Sequence, residues 1–89
     1  MRPNAIDYMV AAADDNDYIV FLTKFYKPIN IKKRLLEYCF VQYCIKIEDK
    51  GRKEKYMIQL ESVEAIKVIK PKFKGMDWTT GKKETKVGA

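Results

Sequence analysis

Between Lys24 and Phe40 the chain brings together the two side-chain types that single-stranded nucleic acid or a nucleotide requires. Lys24, Lys27, Lys32, Lys33 and Arg34 supply positive charge, Tyr26 falls among them, and Tyr38 and Phe40 follow at once. Cations neutralise phosphates and aromatic faces stack on bases, so this stretch is the first candidate ligand surface. Lys50, Arg52, Lys53 and Lys55 form a second cluster, which would add phosphate contacts without reading bases. The structural alternative is that Tyr38 and Phe40 pack beneath another element or into an interface between two copies.

Catalysis finds no such support. The chain has no histidine, no nucleophile elbow and no glycine-rich phosphate loop, so a non-enzymatic role is expected. Asp14, Asp15 and Asp17 read as turn formers ahead of a strand rather than as acid and base. Cys39 and Cys44 would point to opposite faces of one continuous strand, which forbids a disulfide or a shared metal between them. Free thiols in a reducing cytoplasm, with no metal and no cofactor, are the expectation.

The charge of +6 is unevenly laid out. Residues 1–20 set Arg2 against Asp7, Asp14, Asp15 and Asp17, whereas residues 21–56 carry ten Lys or Arg against four Asp or Glu. Residues 71–89 carry five against two. A surface of this kind suits a polyanionic partner. No apolar run is long enough to cross a bilayer, and a signal-peptide core is not recognisable at the start, so a cytoplasmic protein without membrane contact is expected.

Positioning these residues falls to a short list of elements. Eighty-nine residues support one core. The organising stretch is Leu35 to Leu60, where Cys39, Val41, Tyr43, Ile45 and Ile47 alternate, followed by Tyr56, Ile58 and Leu60. A two-residue turn at Gly51-Arg52 would pair Ile47 with Tyr56, Ile45 with Ile58 and Tyr43 with Leu60, and would set Glu48 opposite Lys55. In that parity Tyr38 and Phe40 fall on the outer face. Ahead of the hairpin, Asn4 would cap a short helix carrying Ile6, Met9, Val10 and Ala13 on one side, although Ile6, Tyr8, Val10 and Ala12 also alternate as a strand would. Tyr18–Tyr26 reads as a strand buried on both faces, ended by a bend at Lys27-Pro28. Ile29–Arg34 is extended, because three cations would oppose the dipole of a helix there. Ser62–Glu64 makes a corner, and Ile66 and Val68 lie on a final strand that Pro71 stops.

These pieces describe a mainly β (or α+β) fold, a small SH3-like or Sm-like antiparallel barrel of four or five bent strands with a short N-terminal helix. The barrel occupies residues 1–71. Residues 72–89 form a basic, largely flexible tail, with Trp78 as an anchor on the barrel or on a second subunit. The outline is similar to that of the Sm-like RNA-binding proteins, which also place a helix before a five-stranded bent sheet. The aspartate and asparagine signature of their first motif and the arginine-glycine signature of their second are both missing, so no binding residue is carried over.

Two function classes remain. One is a binding module for nucleic acid or a nucleotide-like anion, acting through Lys24, Lys27, Lys32, Lys33, Arg34, Tyr38 and Phe40. The other is a protein-interaction or inhibitor module, of mobile-element or phage type, that covers a protein partner or forms a homo-oligomer through Tyr38, Phe40, Cys44 and Trp78.

Overall fold

The structure, a computed structural model, describes residues 1–71. The basic tail and Trp78 lie outside the described residues. One helix and six strands follow in order: α1 (Pro3–Ala11), β1 (Tyr18–Thr23), β2 (Ile29–Lys32), β3 (Leu36–Val41), β4 (Cys44–Asp49), β5 (Glu54–Gln59) and β6 (Val63–Ile69). The strands make two three-stranded antiparallel sheets, ordered β2-β1-β6 and β3-β4-β5. A 3-10 turn at Lys33–Leu35 carries the chain from β2 into β3, and another at Leu60–Ser62 carries it from β5 into β6. The expected four or five strands are thus six, because the run expected as one strand through Cys39–Ile47 is two, β3 and β4.

Helix α1 forms as the apolar spacing requires, with Ile6 and Val10 buried, and Ala13 is buried just past its end. Its start differs from expectation. Pro3 occupies the first turn and Arg2 stands at the cap, without a side-chain hydrogen bond. Proline is favoured there because its fixed φ suits the helix and its missing N–H would have had no partner.

Strand β1 is the centre of its sheet, and Ile19, Val20 and Phe21 are all buried. It ends at Thr23, so Lys24–Tyr26 are not part of it. Ile19 and Phe21 meet Ile29, Ile31, Ile45, Ile47, Ile58, Val63, Ile66 and the apolar side of α1 in one core. Branched isoleucines are stiff at χ1 and suit the pleated surface, which is why so few large aromatics are needed inside.

Hairpin β4–β5 has the expected register: Ile47 faces Tyr56, Ile45 faces Ile58, and Glu48 faces Lys55. Its turn is longer than expected. The ladder closes at Asp49 and Glu54, leaving Lys50–Lys53 as a four-residue loop with Lys53 at φ 57°. The Asp49 carboxylate is buried and accepts the Gly51 and Arg52 N–H groups through Oδ1, at 3.0 and 3.2 Å. Tyr43 and Leu60 lie just past the ladder and share one backbone bond, from the Leu60 N–H to the Tyr43 carbonyl at 2.8 Å.

The largest correction concerns the run from Cys39 to Ile47. It is two strands, not one: β3 and β4 fold back on each other through Gln42-Tyr43, with Val41 facing Cys44 and Gln42 at φ 55°. Inward-facing residues are therefore even on β3 (Leu36, Tyr38, Phe40) and odd on β4 (Ile45, Ile47). Tyr38 and Phe40 sit on the core side rather than the outer face. Cys39 and Cys44 share the outer face rather than opposing each other.

The two turns give two predictions. A residue with a side chain at positive φ is strained by roughly 1–2 kcal/mol. Part of the relief is lost to the greater freedom of an unfolded glycine, so Gln42→Gly should raise unfolding free energy by about 0.5–1 kcal/mol. Asp49→Ala leaves two N–H groups without their acceptor and should lower it by about 1–3 kcal/mol. Urea denaturation checks both, and a destabilised Gln42→Gly variant would mean that the turn is not the one described.

Candidate nucleic-acid interface

The candidate residues collect at two ends of the molecule. The separation follows from β4, which starts beside the Leu60–Ser62 corner and ends at the Lys50–Lys53 turn. Six residues of strand hold the ends roughly 17 Å apart at ~3.3 Å per residue.

At the first end, the loop after β1 is bent back by its own threonine. The Tyr26 N–H donates to Thr23 Oγ1 at 3.1 Å, and that hydroxyl lies 3.4 Å from the Tyr26 carbonyl as a donor. The Lys24 N–H donates to the carbonyl of buried Ser62 at 3.0 Å. This conformation turns Phe25 and Tyr26 into solvent, 77% and 54% exposed, between exposed Lys24 and Lys27. Residues 24–28 contain no acid. Tyr43, 84% exposed, stands on the other side of the same Leu60–Ser62 corner. Phe25 falls within the apolar run that suggests a strand, although its flanking lysines and nearby Pro28 are signals of a loop.

At the second end, the Lys33–Leu35 turn meets the β4–β5 loop. The Lys50 N–H donates to the Leu35 carbonyl at 2.9 Å, and a Cβ at Gly51 would stand 2.9 Å from Leu35 Cδ1, so a larger residue there would push the end of the Leu35 side chain aside. Two clusters that are distant in sequence therefore adjoin in space. Several of their charges are already engaged. Lys50 pairs with Glu37 at 2.9 Å, and Arg52 reaches Asp49 at 3.9 Å. Lys33 Nζ donates to the Ala13 carbonyl at 2.6 Å, and Lys32 covers the Tyr18 ring at 5.5 Å. Arg34 and Lys53 are exposed and, among the described residues, make no ion pair.

Tyr38 and Phe40 belong to neither end. They pack edge to face, centroids 5.6 Å apart, against the core. The Tyr38 hydroxyl donates to Asp7 Oδ1 at 2.6 Å and ties β3 to α1. This is the packing alternative that the sequence left open. Burial first, then the hydrogen bond and charge of Asp7, hold the Tyr38 phenol well above its ordinary value of 10.0. The acidic turn is likewise structural: Asp17 is buried and accepts the Asp14 N–H at 3.0 Å and Lys70 Nζ at 2.9 Å. That hydrogen bond, ahead of other causes, raises the Lys70 ammonium.

Among the described residues no three of His, Cys, Asp and Glu cluster as a metal site, and no helix is long and apolar enough to cross a membrane. No family model matches the chain, and no curated protein or solved structure matches it either.

The Tyr38–Asp7 tie is testable through pH. A raised folded-state pKa means that the folded chain keeps a proton which the unfolded chain has lost, so stability present below pH ~10 is lost as pH rises further. Tyr38→Phe should flatten the decline in unfolding free energy above pH 10. Equal slopes in variant and parent would show that Tyr38 ionises no differently in the two states.

Proposed function

We propose that the two sheets wrap into an SH3-like barrel and that the chain is a non-enzymatic, cytoplasmic binding module for single-stranded nucleic acid. The supporting observation is the loop after β1, which exposes Phe25 and Tyr26 between Lys24 and Lys27. Large apolar rings held in water by a local hydrogen-bonded bend gain free energy when a base covers them, and the flanking ammonium groups are placed to meet the phosphates on either side. Base stacking of this kind is tolerant of sequence, so the module would bind with little base preference. The corner holding Arg34, Arg52 and Lys53 then serves as a secondary phosphate contact.

In the interaction-module reading Tyr38 and Phe40 have less to offer, since both are half-buried against the core. That reading keeps the exposed Val41, Tyr43 and Met57 as a surface for a protein partner.

Fluorescence anisotropy with a labelled single-stranded oligonucleotide tests the proposal. Removing a stacking ring costs about 1–3 kcal/mol, so Phe25→Ala or Tyr26→Ala should weaken binding by roughly 5- to 150-fold. Lys24→Gln and Lys27→Gln should each reduce the slope of log affinity against log salt by about 0.7. Absence of binding at low salt, or variants equal to the parent, would move the weight to the interaction module.

A further inference from the structure

We propose that Cys39, Cys44 and Met57 form a binding site for one soft monovalent metal ion on the outer face of the β3-β4-β5 sheet. The register places them. Val41 faces Cys44 across β3 and β4, so Cys39, two residues from Val41, projects to the same side as Cys44 and is its diagonal neighbour. Lys46 faces Cys39 on one side and Met57 on the other, which puts Met57 on the second diagonal of Cys44. Both cysteines of the chain are free thiols, Cys39 exposed and Cys44 half-buried, and Met57 is 55% exposed on a strand where water is the alternative contact.

Diagonal neighbours lie with Cα atoms about 7–8 Å apart. A disulfide wants about 4.4–6.8 Å, so this pair is poorly placed to oxidise to one. An ion between the sulfurs lengthens the link by two metal–sulfur bonds of about 2.3 Å, which suits the diagonal. Thiolate and thioether donors select soft ions, Cu(I) above all in a reducing compartment. The unbranched methionine side chain has the freedom to swing over the pair and complete a three-sulfur set. Binding releases the two thiol protons and leaves one net negative charge, which the Lys46 ammonium in the same row offsets. An ion can reach the sulfurs from solvent, since Cys39 and Met57 are exposed and Cys44 is half-buried.

The test is anaerobic titration of the full chain with Cu(I) against a chromophoric chelator, with native mass spectrometry for stoichiometry and circular dichroism to confirm that each variant is folded. The expected result is one ion per monomeric chain, with affinity falling as pH is lowered. Cys39→Ser and Cys44→Ser should each weaken binding by about two orders of magnitude, and Met57→Leu by about tenfold with stoichiometry unchanged. Two ions per chain, an ion bridging two chains, or either serine variant binding like the parent would overturn the site. An unchanged Met57→Leu variant would overturn the three-sulfur form.

Discussion

Strand β1 is hydrogen-bonded along both edges, to β2 and to β6, while Ile19 and Phe21 on its inner face are wholly excluded from water. The rest of the molecule depends on satisfying that strand. Its backbone groups cannot be left unpaired in a core, so the last strand must return across almost the whole sequence to lie beside the first. The return of β6 in turn obliges the intervening strands to fold as a second layer. That layer supplies Ile45, Ile47 and Ile58 to the same core, and α1 closes one end with Ile6 and Val10.

Much of this architecture is legible in the residues themselves. The β4–β5 register is readable because Ile45, Ile47, Tyr56 and Ile58 admit one alternation, with Lys46, Glu48 and Lys55 fixing the wet side. The final strand is readable from Ile66, Val68 and the stop at Pro71. The β3–β4 turn is not, for a physical reason. Residues 38–45 are apolar at both parities, so periodicity cannot choose a face, and Gln42-Tyr43 lacks the Gly, Asn or Asp that usually marks a tight turn. Glu37 held the missing information. At an odd position it cannot share the core with Val41, and the structure puts it outside, opposite Glu48 and within reach of Lys50.

The candidate site was legible in composition but not in arrangement. Lys24, Lys27 and Tyr26 are recognisable as a candidate cluster, yet the second exposed ring beside them is Phe25, whereas Tyr38 and Phe40 turn toward the core. Lys27 precedes β2 and Lys32 ends it, and the Lys50–Leu35 backbone hydrogen bond joins Arg34 to a cluster sixteen or more residues away in sequence. Spacing along a chain predicts proximity only within an element, and these cations lie on different elements.

The two 3-10 turns between sheets have a further consequence. Each crossing takes three residues, and the crossings lie at opposite ends of β4, one beside Lys50 and the other beside Tyr43. Both sheets also bury their inner side chains in one core, so swinging one sheet from the other would expose Ile19, Phe21, Ile45 and Ile47 to water. The described part of the molecule is therefore a body without a hinge. Shape change is then left to side-chain rotamers and to the exposed loops, such as Lys24–Pro28 and Lys50–Lys53.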